Sequence, residues 1–293
     1  MWCKRCFLWL FFLAFVAAAA WGQDFQLVYL DGSAEIRIDG TWEQLRVGDT
    51  AAGNSTIRLS AHTIAEFAGP RETLLFSKTG TFRLPASPSS PAQTRHSTVS
   101  SLFHRLKKVG GETGRERSAA MGVRGSEAGE DQGLTWVEEE SGSFREAQEA
   151  FAREEYELAL KILDNEVDPV MLGDQTAYRY YRAASLYGLG EKGPALKVLR
   201  SHQPESFSSA FTDYLFLKGQ LTFESRSYSE AAETFDTYIR HASAPAKQQL
   251  AYYLLGISRR EQGQKEAGLQ ALEKAVEIDA DAEITALARK LLL

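Results

Sequence analysis

Five histidines, His62, His96, His104, His202 and His241, are the side chains best suited to moving protons near neutral pH. None of them pairs at i, i+4 with another, and no carboxylates cluster beside them, so the ligand spacing of a metal site is missing. The run Gly110-Gly111-Glu112-Thr113-Gly114 lacks the Gly-Lys-Ser/Thr ending with which a P-loop cradles phosphate, and reads as a flexible segment. There is no Gly-x-Ser-x-Gly elbow to expose a nucleophile. The acidic run Glu138-Glu139-Glu140 is a solvated stretch ahead of a helix, where negative charge suits the N-terminal dipole. No set of residues combines nucleophile, base and oxyanion donor, so the sequence points away from an enzyme and names no catalytic, cofactor-binding or metal-binding residue.

Ring chemistry is what the chain repeats. Phe144 and Phe151, Tyr180 and Tyr187, Phe216 and Phe223, and Tyr253 and Arg260 form four pairs, each seven residues apart. On an α-helix seven residues are two turns, so both members of a pair share one stripe. Only Arg260 breaks the aromatic series. Such stripes bury apolar anchors of a protein partner, and Gln148, Gln220 and Arg260 add hydrogen-bonding groups beside them. The same rings could instead pack between neighbouring helices, and both readings stand at this point.

The elements that must carry these stripes follow from periodicity. Residues 142–293 are helical in pattern, and small residues recur at Ala147, Ala183, Gly219 and Gly256, at intervals of 36, 36 and 37. Twelve residues after each stands Ala159, Ala195, Ala231 or Gly268, and four later Leu163, Leu199, Phe235 or Leu272. Two helices approach closely only where side chains are small, and the large residue then fills the gap beside them. Tyr156-Glu-Leu-Ala159-Leu160, Tyr228-Ser-Glu-Ala231-Ala232 and Leu255-Gly256 resemble the tetratricopeptide (TPR) consensus. The resemblance implies four repeats over 142–281, a right-handed α-α superhelix, and a capping helix over 282–293. It also implies that the first helix of each repeat lines a concave face, which would carry Phe144, Phe151, Tyr180, Tyr187, Phe216, Gln220, Phe223, Tyr253 and Arg260. Glu146, Arg182 and Lys218 depart from the consensus, standing where an apolar residue usually precedes the small one.

Residues 23–85 follow a different rule. Short alternating runs at 26–30, 34–38, 56–59, 73–76 and 81–84 are punctuated by Asp31-Gly32, Asp39-Gly40, Gly48-Asp49, Gly53-Asn54, Gly69-Pro70 and Thr79-Gly80, which predicts a small all-β unit with Asp-Gly hairpins. Leu30-Asp-Gly32, Trp42-Glu-Gln-Leu-Arg-Val47-Gly48-Asp49, Gly53-Asn-Ser-Thr-Ile57-Arg58 and Ala65-Glu-Phe67 are similar to the FecR-like domain of bacterial envelope proteins. Met121-Gly-Val-Arg124-Gly125-Ser-Glu127 resembles the segment that closes that domain, which implies a return to the β unit somewhere within 118–128. Between the two units, residues 86–141 form a charged Pro/Ser/Gly-rich linker or insertion, with one short helix expected near Ser100–Lys108.

Lys4 and Arg5 precede fifteen uncharged, mostly apolar residues, Cys6 to Ala20. That is short of the ~20 a comfortable membrane span needs and fits the core of a signal peptide over 1–22. Cleavage after Gly22 or after Ala20 satisfies the small-residue rule, and an uncleaved anchor is the alternative. Loss of 1–22 removes both cysteines, Lys4 and Arg5, moves the net charge from −6 to −8, and leaves no integral span. An acidic chain is a poor ligand for nucleic acid. The whole reads as a multidomain α+β protein, exported to the periplasm or envelope, acting as a non-catalytic scaffold that binds another envelope protein or peptide. The alternative is a sensor that binds peptidoglycan or another envelope ligand through the β unit.

Overall fold

The computed structural model describes residues 24–70, 72–85 and 134–293, with side chains from 142 onward in the helical part. The expected signal peptide, the 100–108 helix, the closing segment within 118–128, His96, His104 and the run 110–114 lie outside the described residues.

The N-terminal part is two four-stranded antiparallel sheets. The first has the order β4-β1-β6-β7, with β1 Asp24–Asp31, β4 Thr50–Ala52, β6 Ile64–Ala68 and β7 Thr73–Phe76. The second has the order β3-β2-β5-β8, with β2 Ala34–Ile38, β3 Thr41–Gln44, β5 Thr56–Leu59 and β8 Gly80–Arg83. Phe25, Leu27, Ile36, Ile57, Leu59, Phe67 and Phe76 fill the space between them, one residue in two along each strand. The register shifts in β1 between Leu27 and Tyr29, so Tyr29 turns away from this interior while Leu30 turns towards it.

Asp39 and Gly40, both at positive φ, close the β2–β3 hairpin as the Asp-Gly pair predicts. Asp31-Gly32 does not make a hairpin. It carries the chain from the first sheet to the second, and Gly32 is needed because a Cβ there would lie 2.5 Å from Thr63 Oγ1. Three strands, β3, β4 and β6, were not marked by alternation. Residues 64–67 of β6 are buried on both faces, and that removes the period-2 signal.

The C-terminal part is a stack of nine α-helices among the described residues: α1 Leu134–Ala152, α2 Tyr156–Asn165, α3 Gln175–Gly188, α4 Lys192–Arg200, α5 Phe211–Glu224, α6 Tyr228–His241, α7 Pro245–Glu261, α8 Lys265–Ile278 and α9 Ala282–Leu292. They pair as α1/α2, α3/α4, α5/α6 and α7/α8, with α9 closing the stack, in a TPR-like superhelix. Helix α1 begins at Leu134, inside the stretch whose composition reads as linker, directly after Gly133.

The small-residue register has a direct steric basis. A Cβ on Gly256 would sit 2.7 Å from Leu272 Cγ and 3.0 Å from the Gly268 carbonyl, and one on Gly268 would sit 2.9 Å from the Gly256 carbonyl. In the third repeat a Cβ on Gly219 would come within 2.7 Å of the Phe235 ring. Leu163, Leu199, Phe235 and Leu272 are fully buried beside these contacts. The departures are absorbed by charge: Arg182 Nε reaches Asp164 Oδ1 on the preceding helix at 2.6 Å, and Lys218 Nζ lies 3.8 Å from Glu230. Glu146 faces solvent.

Candidate protein-binding surface

Successive first helices touch one another, α1 with α3, α3 with α5 and α5 with α7, whereas each second helix lies between its own first helix and the next. A row whose members are in direct contact while their partners splay apart is the inner wall of a curved stack. Along that wall the predicted residues divide into two groups. Phe144, Phe151, Tyr180, Tyr187 and Phe216 are half-buried and Arg260 is exposed. Gln220, Phe223 and Tyr253 are only 4%, 2% and 4% exposed and lie inside the packing.

The rings of the first two repeats form one cluster. Phe151 sits 6.3 Å from Tyr180 and 5.4 Å from Tyr181, and Phe144 meets Tyr181 edge-on at 5.8 Å. These are favourable edge geometries between helices α1 and α3. Tyr181, which the seven-residue spacing does not mark, is the centre of the cluster and also bonds with Gln148. Its only sequence signal is its position next to Tyr180. Burial, reinforced by the charge of Asp213, pushes the Tyr180 and Tyr181 hydroxyls above their ordinary range.

Further along, Phe216 tilts against Tyr238 at 5.1 Å, and Lys247 Nζ stands 5.7 Å over its ring while pairing with Asp213 at 3.0 Å. Tyr187 is joined across the repeat boundary to Gln220, which also donates to Glu224 Oε1 at 3.0 Å. Glu224 in turn pairs with Lys192 Nζ at 2.7 Å. Arg260 turns to the end of the stack, where Nη1 donates to the Leu291 carbonyl of α9 at 2.6 Å.

The β unit covers part of the stack. The outer face of the first sheet packs on α4 and α5, with Tyr29, Ile64 and Leu75 sharing an apolar cluster with Leu196, Val198, Leu217 and Leu221. Glu66, 3% exposed, accepts the Gly193 N–H at the start of α4 over 2.7 Å. Only glycine fits there, because a Cβ would enter the Tyr29 ring and stand 3.0 Å from Glu66 Oε2. Burial raises the pKa of Glu66, and the backbone donors and Lys192 partly offset it. At the far end Ser77 Oγ donates to Ser225 Oγ at 2.6 Å and accepts from Arg200 Nη2 at 3.0 Å, and Arg200 is held by Glu230. Lys197 reaches Asp31 at 3.1 Å.

Nothing in Glu66, Gly193 or Ser77 announces this contact in the sequence. The nearest signal is a lone acid within the apolar run Ile64-Ala65-Glu66-Phe67.

Among the described residues no group of three or more His, Cys, Asp or Glu could hold a metal ion, and no helix is long and apolar enough to cross a membrane. No family model and no curated protein matches the chain. Among solved structures it is similar to "MamA RS-1 ArsTM double mutant", at 22% identity and a TM-score of 0.42, covering 52% of this chain and 84% of that one.

Proposed function

We propose that this chain is an exported, non-catalytic scaffold of the cell envelope whose helical stack holds a protein or peptide partner along its inner wall. The observation that carries the reading is the row of aromatic rings on the contacting first helices α1 and α3. The β unit packs on α4 and α5, while Phe144 and Phe151 on α1 and Tyr180 and Tyr187 on α3 stay partly exposed. Partly exposed aromatic rings held rigid by their neighbours are the side chains that most often anchor partners, since little entropy is lost on contact.

The test is crosslinking recovery from envelope extract, comparing the chain without residues 1–22 with its Phe144→Ala/Tyr187→Ala variant. Loss of a defined partner, with helical circular dichroism retained, supports the reading. Unchanged recovery of every crosslinked species sinks it.

A further inference from the structure

The second sheet has one face in the β interior and the other in solvent, and the solvent face is chemically unlike the rest of this acidic chain. Pairing puts Arg37 opposite Trp42 and Thr56 opposite Arg83, and continuing the β2–β5 register sets Arg37 beside Thr56. One row across all four strands therefore reads Trp42, Arg37, Thr56, Arg83. In the next row Glu35 stands opposite Arg58 and binds it at 2.5 Å, and the Arg58 guanidinium lies 4.4 Å over the Trp42 ring. Arg37 and Arg83 are exposed and have no carboxylate partner among the described residues. Two strand spacings separate them, roughly 10 Å.

We infer that this face binds an acidic polysaccharide, with Arg37 and Arg83 each receiving a carboxylate and the Arg58–Trp42 stack forming a flat seat for a sugar ring. Guanidinium forks match carboxylates bidentately, and planar rings and guanidinia present flat surfaces for stacking. The inference does not rest on the solenoid reading, since the face belongs wholly to the β unit and points away from α4. An acidic peptide is the weaker fit: extended peptides are held by sheet edges or side-chain pockets, and this is the face of a sheet. Nucleic acid offers anionic groups and flat bases as well, so polyuridylate titrated in parallel is the competing outcome, and binding of it tighter than that of polygalacturonate overturns the inference.

The probe is polygalacturonate, titrated against the full chain at low ionic strength, with neutral amylose and poly-L-glutamate in parallel. Binding of polygalacturonate alone is expected, weakening as salt screens the charges. Arg37→Glu/Arg83→Glu should lower the affinity at least tenfold with far-ultraviolet dichroism unchanged. Arg37→Lys/Arg83→Lys, which keeps the charge and loses the fork, should fall between. If the wild-type chain does not bind, if poly-L-glutamate binds as tightly, or if both double variants bind like wild type, the inference is wrong.

Discussion

At the scale of single residues the repeats share a feature that side-chain type hides. The turn between first and second helix contains a residue at positive φ at the same place in all four repeats: Glu154, Gly190, Arg226 and Gly263, with φ of 63°, 87°, 60° and 81°. Glycine adopts that region without a Cβ clash, whereas an L side chain is held there at a cost of about 1–2 kcal/mol. Glu154 is exposed, so its replacement removes strain and little else. Glu154→Gly should therefore raise stability by roughly 0.5–1 kcal/mol in urea unfolding, the gain reduced by glycine's greater freedom in the unfolded chain. Tyr214 makes the opposite case. It is fully buried, and its hydroxyl donates to the Leu199 carbonyl at 2.5 Å, with the His202 carbonyl at 3.0 Å. Tyr214→Phe removes the single donor that these two carbonyls share without changing ring packing, and should cost about 1–3 kcal/mol by the same measurement.

At the scale of elements the sequence carries periodic information well and contact information poorly. The small-small-large register located every helix pair, because a steric rule tied to 36- or 37-residue spacing repeats four times. Tyr156, Lys192, Tyr228 and Lys265, each nine residues after the first small residue of its repeat, are the first residues of α2, α4, α6 and α8. The ring stripes were legible as stripes, yet their depth was not: Phe223 and Tyr253 occupy the same register as partly buried Phe151 and Phe216, and differ only in what the neighbouring repeat places over them. Least legible was the seating of the β unit, because Glu66, Gly193 and Ser77 meet across more than a hundred residues of chain and share no pattern. That seating has a pH signature. A buried carboxyl whose pKa is raised in the folded protein contributes most below its unfolded pKa, and its contribution is lost as pH rises through the folded value. Protection of the α4 amides against hydrogen exchange should thus decline from mildly acidic towards neutral pH, after correction for intrinsic exchange. Glu66→Gln should flatten that dependence, and an unaltered slope in the variant would assign it to another group.

At the scale of the whole molecule the β unit and the stack are joined by a surface that has the composition of an interior: Ile64 and Leu75 are buried within a cluster made mostly of helical residues, and buried Glu66 and Ser77 find partners across the contact. Two units sharing such a surface should unfold together, since separating them exposes apolar area and strands a carboxylate and an N–H. Trp42 lies in the β unit, and Trp136 lies in α1, so in the chain without residues 1–22 a Trp136→Phe variant makes fluorescence report on the β unit alone. Helical dichroism reports on the stack. In that variant both signals should fall at one temperature. Gly193→Val places a side chain where the Tyr29 ring and Glu66 leave no room, so it should separate the two transitions without lowering that of the stack's last repeats. Coincident melting in Gly193→Val as well would mean that the surface between the units contributes little to their cooperativity. Separated melting already in the parent would mean that the β unit is seated too weakly on α4 and α5 to couple its unfolding to theirs.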